Sequence, residues 1–288
     1  MSRSRKTTRS RKINLRNIVR GSTGATYAIE AMKQATNPTE MTEMALWLRR
    51  HFRLSQYFKY LMPRNPSNVG GLSLGSTQDV LNEMMWAIGI LSAEQKILKG
   101  YISQKALLDS LMADGDYEAA SVCLDNVVKL TGWSHLALGM KCYLIGQTEG
   151  LEAQKSWIAS QVFERTSAPV VFFAYWVGVR TEPAGEPLVL ERSIKQYIDS
   201  TMDEEERVFL LHIMLGEPAP AASEALLLRQ LQNQSVVDLY EGLVSQSIAA
   251  ASDFRDSSQH FYEAFLPFMS EIGDQRAVSI AAAMGDER

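Results

Sequence analysis

Apolar residues return every three or four positions along this chain, and no stretch keeps the two-residue alternation of a half-buried strand. From Asn37, the segment NPTEMTEMALWLRRHFRLSQYFKYLMP offers a capping Asn and Pro38 at the first helical position. Met41, Met44, Leu48, Phe52 and Phe58 follow at helical spacings, and Pro63 is the stop. Ser76 with Asp79 forms a capping box ahead of a helix carrying Val80, Leu81, Met84, Met85, Ile88 and Leu91, and Ser92 with Gln95 marks the next start. The remaining helices are short, about 12 to 16 residues, and are joined by GDY, TGWS, GQTEG, SAP, TEPAGEP, GEPAPAAS and NQS. The pattern predicts an all-α protein whose short antiparallel helices pack as an irregular α-solenoid or as a helical bundle.

Four segments divide the chain. Residues 1–20 form a basic arm, flexible unless bound, and 21–63 hold the N-terminal helices. Residues 64–76, RNPSNVGGLSLGS, form a linker rich in Gly, Ser, Pro and Asn, and 77–288 form a helical repeat-like body.

One unit of the body recurs. GDYEAASVCLDNVVKL, residues 115–130, is a turn followed by a helix with its small and apolar residues on one side. A shift of 34 places Leu111 on Ile145, Tyr117 on Leu151, Glu118 on Glu152, Ala119 on Ala153, Leu124 on Ile158 and Val128 on Val162. A second shift lands Ala153 on Pro187, so the echo covers residues 103–162. That stretch resembles two tetratricopeptide-like helix hairpins, with Tyr117, Ala119 and Ala120 near the start of a second helix where that family packs small residues closely. The resemblance implies a concave surface for segments of a partner protein and no chemistry of its own.

Charge changes the picture at the N-terminus. The net charge of −4 joins a basic arm to an acidic body: residues 1–20 hold eight Arg/Lys and no Asp/Glu, leaving 21 basic against 33 acidic side chains, a net of −12, in the rest. Arg3, Arg5, Lys6, Arg9, Arg11, Lys12, Arg16 and Arg20 point collectively to phosphate contact, on nucleic acid or an anionic membrane, or to docking on an acidic partner or on the chain's own acidic surface. Hydrophobic residues make up 46% of the chain, enough to build a core. The two cysteines, Cys123 and Cys142, sit among apolar residues as small core hydrophobes, which favours a reducing, cytoplasmic setting. No secretory signal is visible, and the longest uncharged apolar run, TSAPVVFFAYWVGV from Thr166 to Val179, is 14 residues, short of the ~20 that a membrane span needs.

Few residues suggest chemistry. The histidines His51, His135, His212 and His260 are scattered, with no His-Glu-x-x-His or Cys-x-x-Cys spacing, so neither a metal nor a cofactor is expected. VGGLSLGST lacks the Lys of a phosphate-binding loop, and DEEER, Asp203 to Arg207, sits where carboxylates favour a helix start. Trp133, Trp157, Trp176, Phe172, Phe173 and Tyr175 read as core. Arg255-Asp256-Ser257-Ser258-Gln259-His260 resembles the motif of the HEPN ribonucleases, all-helical proteins with Arg and His near the cleaved RNA phosphate; Arg207 and His212 share the spacing. In that reading Arg255 clamps the phosphate and His260 acts as general acid or base.

The first expectation is therefore a cytoplasmic, non-catalytic helical scaffold or adaptor that binds a protein partner, with a basic arm for nucleic acid or an acidic partner. One alternative is a HEPN-like protein that binds or cleaves RNA with Arg255 and His260. Another is a structural subunit of a larger assembly, to which the 13 methionines and SQYFKYLM, Ser55 to Met62, would suit a sticky interface.

Overall fold

The computed structural model describes residues 31–33, 40–50, 61–69, 80–161, 186–201, 235–250 and 259–285, with Ile29 and Leu211. Every regular element among them is helical, and the fold is all-α. In chain order the helices are α1 (Met41–Arg50), α2 (Val80–Ala93), α3 (Gln95–Asp114), α4 (Tyr117–Thr131), α5 (His135–Thr148), α6 (Leu151–Gln161), α7 (Pro187–Thr201), α8 (Val236–Ala250), α9 (Gln259–Ile272) and α10 (Arg276–Gly285). No described helix is long and apolar enough to cross a membrane. The basic arm, the run from Thr166 to Val179, the acidic run from Asp203, and Arg207, His212 and Arg255 lie outside the described residues.

Two cores organise these helices. The larger joins Met41, Ala45 and Leu48 of α1 to Trp86, Ile90 and Leu91 of α2, Leu98 and Tyr101 of α3, Val237 and Tyr240 of α8, Phe265 and Met269 of α9, and Ile280 of α10. The smaller lies within the α3–α4–α5 zigzag: Leu108, Ala120, Cys123, Leu124, Ala137 and Leu144, edged by Tyr117, Val128, Trp133 and Tyr143. Helix α3, at 20 residues, is long enough to enter both, with Leu98 and Tyr101 in one and Leu108 in the other. Both cysteines are free and buried, as expected of small core hydrophobes.

The turns explain where the helices stop. Asp116 caps α4 by accepting the Ala119 N–H at 3.1 Å, and Ser134 caps α5 by accepting that of Ala137 at 3.0 Å. Gly115 ends α3 in the left-handed region at φ 75°, where a side chain would be strained. The Asp116 N–H then reaches back to the Leu111 carbonyl at 3.0 Å, and 34 residues on the Gly150 N–H reaches the Ile145 carbonyl at 3.1 Å. The next bond recurs as well: Ala120 N–H to the Asp116 carbonyl at 2.9 Å, and Gln154 N–H to the Gly150 carbonyl at 3.1 Å. The offset seen in the side chains is thus matched in backbone hydrogen bonds.

Ser92 does not start α3. It lies inside α2, and the boundary falls at Glu94, which makes no side-chain cap. The backbone ladder nearly carries across: the Glu94 N–H bonds the Ile90 and Leu91 carbonyls, and the Glu94 carbonyl accepts from Ile97 and Leu98. Few donors are left for a serine to cap.

The segment just ahead of the linker is packed, with Leu61 and Pro63 buried; in the described part of the linker residues 66–68 form a 3-10 turn, Arg64, Asn65 and Asn68 are exposed and Val69 is buried. The Pro63 carbonyl accepts the Trp133 N–H at 2.7 Å, and the Leu61 carbonyl accepts the Val236 N–H at 2.8 Å, so this segment is wedged between the α4–α5 turn and the start of α8. Residues 70–76 lie outside the described residues.

Candidate functional site

Two polar clusters stand beside this wedge, and what each holds together decides whether it can do chemistry. In the first, α5 and α8 meet at their N-termini. Ser235 and Asp238 open α8 as a serine cap and a carboxylate three residues on, with the Asp238 N–H donating to Ser235 Oγ at 3.0 Å. Asp238 also reaches across to α5, where Oδ2 accepts the His135 N–H at 2.9 Å and Oδ1 accepts that of Leu136 at 3.3 Å. The carboxylate therefore satisfies two exposed donors at the positive end of the α5 dipole. Ser235 Oγ donates to Asp238 Oδ2 at 3.0 Å, and His135 Nδ1 lies 3.1 Å from the same oxygen. Serine and histidine thus share one carboxylate side by side. A relay to an activated nucleophile needs the serine on the imidazole instead.

The second cluster ties α3, α8 and the α9–α10 turn. Arg276 donates to both oxygens of Glu241, at 2.7 and 3.0 Å, and to Asp274 Oδ2 at 2.7 Å. Tyr101 donates to Glu241 at 2.8 Å, and Tyr240 to Asp274 at 2.5 Å. Arg276 also lies over the Tyr240 ring, 5.9 Å from its centroid. Burial and then the Glu241 carboxylate push the Tyr101 hydroxyl well up; burial and then the bond to Asp274 do the same for Tyr240. Burial alone would raise Asp274, but hydrogen bonds from Arg276 and Tyr240 outweigh it and hold the carboxyl below its ordinary value. Both tyrosines are therefore neutral donors and Asp274 a fixed acceptor. The group holds three helices together and presents no poised base or nucleophile.

The eight arm cations and Arg255 lie outside the described residues. His260 is the second residue of α9, and its side chain also lies outside them, so the geometry of the pair is not defined. His135 is buried against Asp238, and no group of three or more metal-ligating side chains occurs among the described residues. Sequence reading missed Tyr101, Asp238, Glu241, Asp274 and Arg276. The one local signal was the Ser235-x-x-Asp238 capping pattern.

What the hairpins offer to solvent is a surface. Two-residue links join α3 to α4 and α5 to α6, and α3 packs on α4, α4 on α5 and α5 on α6. The α3–α4 and α5–α6 turns and their flanks carry exposed Asp114, Asp116, Glu118, Glu149 and Glu152. Leu107, Val122 and Leu130 are exposed on α3 and α4. Trp133 and Trp157 pack with ring centroids 6.1 Å apart, and Tyr117 meets Tyr143 edge to face at 5.9 Å; all four are half-buried.

No protein-family model and no solved structure matches the chain. It is similar to the uncharacterized protein y4jQ of Sinorhizobium fredii (strain NBRC 101917 / NGR234), 24% identical over 266 residues that cover 92% of this chain and 25% of the relative. The chain therefore spans about a quarter of the length of the curated relative it matches.

Proposed function

We propose that the chain is a cytoplasmic, non-catalytic helical scaffold that binds a protein partner on the hairpins α3–α6, which are tetratricopeptide-like over residues 103–162. The observation that carries this reading is the recurrence at 34 residues of both side-chain pattern and turn hydrogen bonds, Asp116 to Leu111 and Gly150 to Ile145. It is supported by the two polar clusters, whose strongest hydrogen-bonding groups are spent on joining helices, and by exposed apolar and acidic side chains on the hairpins. Two free, buried cysteines suit a reducing compartment. The basic arm, from Arg3 to Arg20, adds a contact to nucleic acid or to an acidic partner, read from its charge alone.

The test is capture from the native cell extract with the whole chain and with residues 1–20 removed, each with and without nuclease, followed by identification of bound protein and nucleic acid. A defined protein partner retained after nuclease and after removal of the arm is the expected result. Retention of nucleic acid alone, lost with the arm, would overturn the scaffold reading.

A further inference from the structure

Glu94 is the one residue between α2 and α3, and its side chain is fully buried. Neither carboxylate oxygen has a hydrogen-bond partner. Arg49, near the end of α1, brings Nη2 to 3.0 Å from Oε2 as an ionic contact without hydrogen-bond geometry, while its Nη1 donates to the Ala93 carbonyl. The Arg49 side chain is 44% exposed, so water screens the cation but does not reach the anion.

Among the described residues, the other charged groups on the elements around this break are accounted for. Glu43, Arg50, Lys96, Lys99, Asp114, Glu263 and Glu271 are exposed, and Lys105 pairs with Asp109 at 2.6 Å. Lys33 and Glu83 hold each other at 2.6 Å, Asp238 holds His135, and Glu241 holds Arg276. Arg49 is the charged group among these that meets Glu94.

We propose that Glu94 is a proton-sensitive strain point that sets how tightly α1 docks on the α2–α3 break. A buried carboxylate without hydrogen-bond donors loses more solvation than one half-exposed guanidinium returns. Burial accordingly raises the Glu94 carboxyl above its ordinary value, with Arg49 pulling the other way and losing. The docked state thus holds the Glu94 proton more tightly than a state in which α1 has lifted and water reaches the carboxyl. By linkage, docking strengthens as pH falls from the raised value towards the ordinary one, and above the raised value it is weakest and no longer changes with pH. Above the raised value the junction is ionised, buried and under strain, and lifting of α1 with Arg49 would let water reach the carboxylate.

The experiment is hydrogen exchange of the α1 backbone amides on the whole chain from pH 4 to 8, corrected for intrinsic exchange. The wild type should gain protection as pH falls, approaching about tenfold per pH unit where Glu94 titrates. Glu94→Gln should be better protected than the wild type at pH 8 and flat with pH; Arg49→Met should be less protected at pH 8. Lower protection in Glu94→Gln at pH 8, or equal slopes in the two chains, would overturn the proposal. If Glu94→Gln fails to fold, a sloping range that extends to higher pH in Arg49→Met than in the wild type supports it, and identical profiles refute it.

Discussion

Asp238 and His135 stand 103 residues apart, yet Asp238 Oδ2 accepts the His135 backbone N–H at 2.9 Å and lies 3.1 Å from its Nδ1. One carboxylate thereby closes the N-terminus of α5 while belonging to the first turn of α8, and it fastens the hairpin zigzag to the larger core.

Asp238→Ala leaves the His135 and Leu136 N–H groups without this acceptor in a nearly dry junction. The expected loss is about 1–3 kcal/mol of stability, measured by urea unfolding with an unchanged m-value. Asp238→Asn, which keeps one acceptor oxygen, should lose less.

The Tyr240–Asp274–Arg276 group makes acid stability predictable. Asp274 has its folded carboxyl below the ordinary 3.8, so its contribution is complete above that value and is lost as pH falls through the lower, folded one. Asp274→Asn should therefore be less stable than the wild type at pH 7, and the two should converge in acid. Thermal melts from pH 7 to 2.5 read both, and parallel curves would contradict the assignment.

Two glycines with similar φ but opposite ψ should respond differently. Gly115 lies at φ 75° and ψ 12°, in the left-handed helical region, and Gly132 at φ 78° and ψ −179°, a region that is essentially reserved for glycine. A Cβ on Gly132 would lie 2.5 Å from the Met62 carbonyl carbon and 2.7 Å from the Pro63 oxygen, whereas one on Gly115 meets nothing within 4 Å. Gly115→Ala should cost about 1 kcal/mol, from the left-handed backbone alone. Gly132→Ala adds a backbone clash and should exceed about 3 kcal/mol, measured by the same unfolding curves.

Local chemistry was legible and long-range chemistry was not. The period of apolar residues predicts the all-α fold that is found, and Cys123 and Cys142 are buried as their neighbours suggest. Ser92 misled because a serine three residues before a glutamine looks like a cap, whereas the backbone across Glu94 already pairs most donors. Tyr101, Glu241 and Arg276 carry no spacing signal: they meet only after α3, α8 and α10 pack, and each alone resembles a surface residue. Arg255 and the arm lie outside the described residues, and their candidacy rests on residue type and spacing.

The most direct test of the scaffold reading is the affinity of the captured partner for two variants of the whole chain. Leu107→Asp with Val122→Asp changes exposed apolar positions on α3 and α4, and Val278→Asp changes one on α10, away from the hairpins. All three side chains are exposed, so both variants should fold with unchanged circular dichroism. Isothermal titration should show at least about a tenfold loss of affinity for the α3–α4 double variant, as expected when contact-surface anchors are replaced by charge, and none for Val278→Asp. Equal affinity in the two variants would contradict binding on the hairpins.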